Sequence, residues 1–432
     1  MKLFQHQQDA LRETANRNRA AYYHDMGLGK TFTGAEKMAQ LAARVNLIIC
    51  QKSKVKDWLD HVFEHYEDFE CYDLTKKDEM FIFNLRSDDE YESSFYEGNP
   101  ICGVINYELA WRRKELLNLK DFTLMLDESS LIQNRTAKQT KFILDLQPKN
   151  VILLSGTPCS GKYENLWTQA KLLGWDISEK VYCEHYVERE LAQARVLGKV
   201  KRFWKVTGYK NVERLKQKFR EHGALFLKTE EVLNLPEQTF IEISVAAPKG
   251  YRQFMKDSLI EVEDQLLVGD TMLTKRLRAR QLCSIYNQAK YDAFCDLLES
   301  THDRLIVFYN FTAECERLIK IVEQYNKPWS VVNGAGKQLR AYEAYEDSVT
   351  FVQYQAGSKG LNLQKANKLI YFSLTEKCDD WMQSQKRIHR IGQERPCFYY
   401  VMKSKGTVEE KIHAALLRGE DYTDALFRKE CK

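Results

Sequence analysis

The sequence predicts an α/β protein with two similar lobes, each built on a parallel, doubly wound sheet. Short apolar runs, such as VNLIIC at residues 45–50, alternate with segments that have helical spacing. This alternation is typical of parallel strands that are buried on both faces of a sheet. Polar clusters directly follow several of these runs, and ligands of such sheets gather at the carboxyl ends of the strands. A second series of the same style begins at residue 304.

The apolar runs and one change in composition give the predicted organisation. The predicted strands are residues 20–23, 45–50, 101–105, 122–126 and 151–154, then 304–309, 330–333, 350–354 and 368–372. Near residues 233–249 the chain carries Pro236, Pro248 and an alternating, strand-like stretch, which predicts a domain boundary. We therefore expect a first lobe at residues 1–235 with a helical insertion at about 163–225, and a second at 236–432 with one at about 251–300.

Composition excludes several classes of protein. The net charge is only +4 over 432 residues, so affinity for nucleic acid would have to come from local patches. The eleven cysteines are scattered singly without any C-x-x-C pair, which argues against a zinc site or a disulfide framework. No stretch approaches the ~18 apolar residues of a membrane span, and the polar N-terminus lacks a signal-peptide core. We expect a protein without a membrane partner in a bacterial or viral-host cytoplasm, or in the nucleus if the source is eukaryotic.

The stretch HDMGLGKT at residues 24–31 has the chemistry of a phosphate-binding loop. Gly27 and Gly29 would let backbone N–H groups turn towards phosphate oxygens, and the next helix N-terminus adds a positive dipole. Lys30 would supply a full charge and Thr31 a hydroxyl ligand for Mg²⁺. The first glycine of the general pattern is replaced by His24, so a chance Gly-Lys-Thr in a loop is the alternative. Because an apolar run precedes the stretch and helical spacing follows it, the context favours a nucleotide site.

The acid pair Asp127-Glu128 directly follows the predicted strand at 122–126. An acid in this position can hold Mg²⁺ while its neighbour orients or deprotonates an attacking water. The alternative is a strand-ending turn with two solvated carboxylates.

Two basic segments are candidates for contact with nucleic acid. Between residues 195 and 220 lie ten Lys/Arg residues against one acid, Glu213, with aromatic residues interleaved. A second cluster runs from Lys275 to Arg280. The first could be a helical face that follows a phosphate backbone, and the alternative for both is a solvated basic surface.

The C-terminal part contains QSQKRIHRIGQ at residues 383–393 and GTVEE at 406–410. Here the sequence resembles a superfamily-two, helicase-type ATPase of the Swi/Snf family, over nearly the whole chain and in motif order. Residues 25–31, DMGLGKT, are close to that family's phosphate loop, which explains the missing first glycine. Further motif positions are matched by residues 3–7, 47–58, 104–108, 127–134, 155–158 (SGTP, a coupling motif) and 355–363.

The resemblance implies the roles of individual residues. Nucleotide binding falls to Gln7 as the adenine-reading glutamine, and to Asp25, Met26, Gly27, Leu28, Gly29, Lys30, Thr31 and Gly360. The implied catalytic residues are Lys30, Asp127, Glu128 and two arginine fingers, Arg387 and Arg390, with Thr31 and Asp127 on the metal.

Four positions depart from the family's pattern. Ser129-Ser130 replace a small residue and a histidine after the acid pair, so coupling at that point would differ. Gln51 stands where a proline is common, and Ser358 where a glycine is frequent. The basic signature before a leucine-proline step is reduced to residues 226–229, FLKT. None of these changes removes a phosphate, metal or finger ligand.

The resemblance implies two RecA-like lobes with helical insertions and an ATP site in the interlobe cleft. The expected activity is DNA-stimulated ATP hydrolysis, with ATP and Mg²⁺ as cofactors, by a monomer that translocates along duplex DNA. An unidentified protein partner is left open. The alternatives are a helicase that separates strands of DNA or RNA, a nucleic-acid-binding protein that ATP switches with little turnover, and a motor subunit of a larger machine.

Overall fold

The computed structural model describes residues 3–88, 98–159, 161–196, 199–232, 235–263, 265–354, 361–423 and 426–427, without the side chains of 194–201 and 203. The chain divides into two compact units, residues 1–232 and 233–432. No helix within the described ranges is both long and apolar enough to cross a bilayer.

The first unit is organised on a seven-stranded, fully parallel sheet. Its strands are β1 (Arg19–His24), β2 (Val45–Cys50), β3 (Glu70–Asp73), β4 (Ile101–Asn106), β5 (Thr123–Asp127), β6 (Asn150–Leu154) and β9 (Ala224–Leu227). Their order across the sheet is β3-β4-β2-β5-β6-β1-β9. Strands β5, β6 and β1 are therefore neighbours, and their carboxyl ends meet at one edge.

Helices cover both faces of this sheet. They are α1 (Gln5–Glu13), α2 (Lys30–Gln40), α3 (Val55–His65), α4 (Lys77–Ser87), α5 (Tyr107–Ala110), α6 (Lys138–Asp145), α7 (Trp167–Leu172), α8 (Glu179–Tyr186), α9 (Val212–Glu221) and α10 (Thr229–Val232). Alternate residues of β2 enter two different apolar cores, Leu47 on one face and Ile48 on the other. Helix α2 approaches the sheet closely, since a Cβ on Gly34 would lie 2.8 Å from Leu154 Cδ1.

A two-stranded antiparallel ribbon stands apart from the first sheet. It consists of β7 (Val187–Val196) and β8 (Lys199–Tyr209), with an irregularity at Glu188/Arg189. The expectation that residues 195–220 form one helical face is wrong. Their first half is a strand of this ribbon, and only Val212–Glu221 is helical.

The second unit repeats the architecture. Its strands are β10 (Gln238–Val245), β13 (Leu305–Tyr309), β14 (Trp329–Asn333), β15 (Gly336–Gln338), β16 (Val349–Gln353), β17 (Lys368–Tyr371) and β18 (Cys397–Ser404). They run in the order β10-β18-β17-β13-β16-β14-β15, parallel except for β14–β15. Along β13, Ile306 and Val307 enter different cores, so this sheet is also buried on both faces.

The remaining elements of the second unit are mostly helical. The helices are α11 (Tyr251–Asp257), α12 (Met272–Ser284), α13 (Gln288–Glu299), α14 (Thr312–Gln324), α15 (Arg340–Ala344), α16 (Cys378–Gln385) and α17 (Val408–Leu417). A short antiparallel ribbon, β11 (Leu259–Val262) and β12 (Gln265–Val268), interrupts the segment that was expected to be helical at 251–300. The prediction of two parallel sheets with helices is confirmed, while both insertions contain a β-ribbon in addition to helices.

A buried ion pair connects helices of the second unit to its sheet. Lys290 of α13 donates from Nζ to Glu409 Oε1 (2.5 Å) and to the Phe372 carbonyl (2.8 Å). The second oxygen of Glu409 accepts from the Ser404 N–H (2.9 Å), and both charged side chains are almost fully buried. Removing one partner would leave an uncompensated charge in an apolar core, which is far more costly than replacing both.

We expect Lys290→Met to destabilise the protein by roughly 3–5 kcal/mol, because the Glu409 carboxylate would remain buried without its partner. The measurement is the shift of the urea midpoint for the unfolding of the second unit. The double variant Lys290→Met/Glu409→Leu should recover much of that loss. As a control, Glu343→Gln, which breaks the exposed pair with Lys365 in the same unit, should leave the midpoint unchanged. A Lys290→Met variant as stable as the parent would contradict this role.

Candidate functional site

The phosphate loop lies between β1 and α2, as the sequence predicted. Gly27 and Gly29 have φ values of +90° and +71°, in the region that favours glycine. Helix α2 begins at Lys30, whose Nζ donates to the carbonyls of His24 (2.8 Å) and Asp25 (3.2 Å). The lysine ammonium therefore lies over the loop at the positive end of a helix, which is suited to an anionic ligand.

The backbone at His24, where the general pattern has its first glycine, does not require a glycine. His24 is the last residue of β1, with extended backbone that any residue adopts, and its side chain is fully buried. The ring lines a cavity of about 230 Å³ between α1 and β9, and within the described residues neither ring nitrogen has a hydrogen-bond partner. Burial, with smaller effects from Lys30 and His6, lowers the pKa of His24 to about 3. The imidazole is therefore neutral and adds no charge to the loop.

Residues of α1 hold the loop from the other side. The buried Gln7 donates from Nε2 to the Gly29 carbonyl (3.0 Å), and its Oε1 accepts from the Phe4 N–H (2.8 Å). His6 donates from Nε2 to the Leu28 carbonyl (3.0 Å). Gln7 retains one N–H and one lone pair for a further partner. Its observed bonds fix the shape of the phosphate loop.

The remaining residues of the loop have structural contacts. Asp25 Oδ2 accepts from the backbone N–H and the hydroxyl of Thr229, each at 3.1 Å, and the Asp25 N–H donates to the Leu227 carbonyl (2.9 Å). The side chain of Leu28 is fully buried, so only its backbone can face a ligand. A Cβ on Gly156 would lie 3.0 Å from Met26 Cγ, which places SGTP against the loop.

The acid pair sits at the end of β5, beside the loop. The Glu128 carboxylate accepts at Oε1 from the hydroxyls of Ser130 (2.6 Å) and Ser155 (2.7 Å). Burial raises the pKa of Glu128, while these two hydrogen bonds and the charge of Lys30 oppose the rise. A carboxylate with a raised pKa is a better proton acceptor near neutral pH than an exposed one. The backbone of Glu128 lies in the left-handed region, with φ +58°, so the chain turns sharply directly after β5.

Asp127 is fixed by two aromatic side chains that motif positions alone did not assign to it. Trp58 of α3, itself fully buried, donates its indole N–H to Asp127 Oδ2 (2.9 Å). The Tyr107 hydroxyl donates to the Asp127 carbonyl (3.0 Å). Within the described residues Oδ1 of Asp127 makes no hydrogen bond, so one oxygen is held and the other is available.

The site suits a Mg²⁺ ion that takes most of its ligands from a bound phosphate and from water. The two expected metal ligands are the Asp127 carboxylate and the hydroxyl of Thr31, in the first turn of α2. Across the described ranges no cluster of three or more His, Cys, Asp or Glu side chains could form an all-protein metal site. Mg²⁺ typically uses one or two protein oxygens together with substrate phosphates and water, so the donor set fits.

Ser129 and Ser130 provide a connection in place of the family's histidine. Ser130 contacts Glu128, whereas the buried Ser129 donates to Gln169 Oε1 (2.9 Å). Gln169 of α7 in turn donates from Nε2 to the Pro158 carbonyl (2.8 Å). The acid pair and the SGTP segment are thus linked twice, through Ser155 and through Gln169. No local pattern predicts this role of Gln169, because the role depends on how α7 packs.

The arginines expected to be fingers lie in the second unit, after α16. Arg387 and Arg390 donate from Nη1 to the same carbonyl, that of Leu361, at 3.4 and 3.3 Å. Burial lowers the pKa of Arg390 from its ordinary value. Gln393 donates to the carbonyls of Gln364, Ala366 and Ile388, which fixes the loop that carries both arginines. Gly360 lies outside the described residues.

Three arginines of the second basic cluster, Lys275–Arg280, make contacts within the second unit. Arg276 and Arg280, four residues apart on α12, both pair with Glu376, at 3.1 and 2.9 Å. Arg278 donates to Gln281 on the same helix (2.7 Å). Arg276 and Arg280 thus share one carboxylate, which offsets one of their two charges, and the expectation that Lys275–Arg280 forms a track for DNA stays a prediction.

Two parallel sheets, with a phosphate loop and an acid pair at neighbouring strand ends, define a helicase-type nucleotide-binding protein. Comparison with protein families agrees. A model described as the SNF2-related domain matches residues 11–287, and one described as the helicase conserved C-terminal domain matches 289–392. Because the first match covers more than half of the sequence, the chain belongs to the SNF2-related family.

Individual relatives are distant and longer. A Bacillus subtilis protein named as an ATP-dependent helicase/translocase, YwqA, is 26% identical over 73% of this chain and 37% of its own length. A Xenopus tropicalis SWI/SNF-related regulator of chromatin, subfamily A-like protein 1, is 22% identical over 90% of this chain and 41% of its own. The yeast ISWI chromatin-remodeling ATPase ISW1 is 23% identical over 90% and 37%. The chain thus spans about two fifths of these relatives.

A solved structure is also similar to this chain. The Sulfolobus solfataricus SWI2/SNF2 ATPase core in complex with dsDNA is 18% identical, with a TM-score of 0.45, and covers 99% of this chain and 92% of its own.

We expect Trp58→Phe to weaken metal use without unfolding the protein, because Asp127 would lose the hydrogen bond that orients its carboxylate. Losing such a partner typically costs ~10- to 100-fold in metal affinity or activity. The measurement is the Mg²⁺ concentration that gives half-maximal ATPase rate. Trp329→Phe is the matched control, since its indole N–H also meets a carboxylate, that of Glu323, at 3.3 Å in the other unit. An unchanged Mg²⁺ dependence in Trp58→Phe would exclude the positioning role.

Proposed function

We propose that this chain hydrolyses ATP when it binds duplex DNA and uses the hydrolysis to move along the DNA. One observation carries the proposal. Lys30, Glu128 and Ser155 come from three different strand ends, yet the Ser155 hydroxyl donates to the Glu128 carboxylate (2.7 Å) and the charge of Lys30, at a helix N-terminus, acts on the same carboxylate. A cluster of this kind combines an anion site with a proton acceptor, which is what phosphoanhydride hydrolysis requires. Membership of the SNF2-related family supports DNA as the activator.

We assign the steps of ATP binding and hydrolysis to individual residues of the first unit. Backbone N–H groups of residues 25–29 and the Lys30 ammonium bind the phosphates, with Met26 and Leu28 shaping the loop through their packing. Thr31 and Asp127 would hold Mg²⁺, which neutralises phosphate charge when it is bound. Glu128 would orient the attacking water and accept its proton. Gln7 would read the adenine with its remaining N–H and lone pair.

The second unit would supply the other half of the chemistry. Arg387 and Arg390 would neutralise charge that develops on the transferred phosphate, and Gly360 would contact the nucleotide. The first lobe is proposed to cover residues 1–235 and the second 236–432. Because hydrolysis needs groups from both lobes, it would be coupled to opening and closing of the lobes. Repeated opening and closing while the protein holds a DNA strand would move the protein along that strand. We propose that a monomer suffices.

Two other functions remain testable alternatives. A strand-separating helicase would be favoured by the β7–β8 ribbon, because a projecting ribbon can act at a point where strands part. A protein that uses ATP binding only as a switch would lack working hydrolytic groups. Glu128 is instead present and hydrogen-bonded to Ser130 and Ser155, an arrangement that suits proton transfer.

The deciding experiment compares steady-state ATPase rates with no nucleic acid, duplex DNA, single-stranded DNA and RNA. We expect the largest stimulation with duplex DNA. Translocation is then measured by the displacement of a triplex-forming strand from duplex DNA, and helicase action by the release of a strand from a forked duplex. Negligible turnover under all four conditions would favour the switch, and the largest stimulation by RNA would overturn the DNA assignment.

We expect Glu128→Gln to lower the turnover number by roughly 10²–10⁴-fold, because the amide cannot accept the proton of the attacking water. Lys30→Ala should abolish hydrolysis through loss of phosphate binding. Glu115→Gln, a change at an exposed carboxylate of the same unit, is the control for folding and charge. Turnover like that of the parent in either site variant would refute the assignment of the site.

Arg390→Ala should leave ATP binding nearly intact while reducing turnover ~10³–10⁵-fold, the range for an arginine that acts in the transition state. Binding is followed with a fluorescent ATP analogue and turnover by phosphate release. Arg395→Ala, which removes a more exposed arginine paired with Asp303, should change neither. If nucleotide affinity falls as much as the rate, Arg390 acts in ground-state binding instead.

A further inference from the structure

The β7–β8 ribbon carries exposed groups that the ATP site does not use. Its two strands are ten and eleven residues long, and within the described part of the chain they pair only with each other. Isolated two-stranded ribbons are marginally stable in water, so this one depends on its base. There Val187 is buried, the Tyr209 hydroxyl donates to Glu164 Oε2 (2.6 Å), and the Lys210 N–H donates to the Tyr186 carbonyl (3.1 Å).

One face of the ribbon is apolar and cationic at once. Leu191 and Trp204 are direct cross-strand partners, and their side chains are 53% and 61% exposed. The Arg189 guanidinium lies 5.6 Å from the centre of the Trp204 ring. Arg202, two residues from Trp204 along β8, is exposed on the same face. We name these four residues, Arg189, Leu191, Arg202 and Trp204, the Trp204 face.

The two faces of the ribbon differ in charge. The other described residues on the same side of the ribbon as the Trp204 face, Gln193 and Val206, are not acidic either. On the opposite face the Glu190 carboxylate pairs with Lys205 (3.3 Å), so a cation there is already partly neutralised. Trp204 and Leu191 form an exposed apolar pair beside two arginines, and the excess positive charge of this face favours an anionic ligand.

We propose that the Trp204 face binds unpaired bases of DNA, by stacking a base on Trp204 while Arg189 and Arg202 contact flanking phosphates. An aromatic ring with adjacent arginines is the composition that binds single strands without sequence preference. Bases within a duplex are stacked on one another and offer no free ring face, whereas those at a fork or gap do. This inference rests on the proposed function and adds a preference for DNA that has unpaired bases.

The test compares three labelled DNAs, a single strand, a blunt duplex and a fork with two unpaired arms, by fluorescence anisotropy at one fixed salt concentration. Trp204→Ala should weaken binding of the single strand and the fork by roughly 5- to 100-fold, as expected for the loss of one stacked base. Blunt-duplex affinity and the basal ATPase rate should stay within twofold of the parent. Trp204→Phe should restore most of the loss, because phenylalanine retains a stacking face.

Two further variants separate stacking from charge. When binding of the fork is repeated over a series of salt concentrations, Arg202→Gln should reduce the slope of log affinity against log salt by about one. Phe81→Ala is the matched control, because Phe81 lies on α4 of the same unit, is 64% exposed and should not affect any of the three affinities. Thermal melting verifies that each variant is folded.

The outcomes that would overturn the inference are distinct from failure of the proposed function. Equal weakening for all three DNAs in Trp204→Ala would make the face a general duplex contact. No change for any DNA would assign the exposed indole to another ligand, such as a protein. Both results leave DNA-stimulated ATP hydrolysis intact. If the parent protein binds none of the DNAs and none stimulates its ATPase, the proposed function fails and the inference fails with it.

Discussion

The hydrogen bonds between Glu128 and the hydroxyls of Ser130 and Ser155 are the interaction on which the site depends. A carboxylate withdrawn from water is stable only if polar groups replace its hydration. Ser155 can do so because β5 and β6 are adjacent and parallel, with Asp127 directly opposite Leu154 in the register. The same sheet places β1 next to β6, which puts the Lys30 charge within range of the carboxylate. Strand order therefore determines the electrostatics of the site.

The sequence predicted the central strands and the phosphate loop because their signals are local. A run such as VNLIIC can be buried on both faces of a sheet without a partner being known, and β2 has the predicted bounds. β18 was missed, although it pairs with both β10 and β17. Its residues, CFYYVMKS, include the aromatic and β-branched types that favour a strand, but its place between β10 and β17 is shown only by the fold.

Contacts between distant segments could not be predicted from the sequence. Trp58 and Asp127 are 69 residues apart, and no local pattern shows that the indole is directed at that carboxylate. The basic segments illustrate the same limit. Spacing by four places Arg276 and Arg280 on one helix face, but only the fold shows that this face meets Glu376. In the ribbon, by contrast, residues 199–206 (KVKRFWKV) contain the β-branched and aromatic residues typical of a strand, a local signal that the charge count obscured.

The bonds between Asp25 and Thr229 have a mechanical consequence. Thr229 begins α10, four residues before the second unit starts at Leu233, and two of its groups are attached to the phosphate loop. The Asp25 N–H also holds the end of β9 through Leu227. The loop and the point where the chain leaves the first unit thus form one tethered body. A displacement of Thr229 would therefore be passed directly to Asp25, so the start of α10 and the phosphate loop would have to move together.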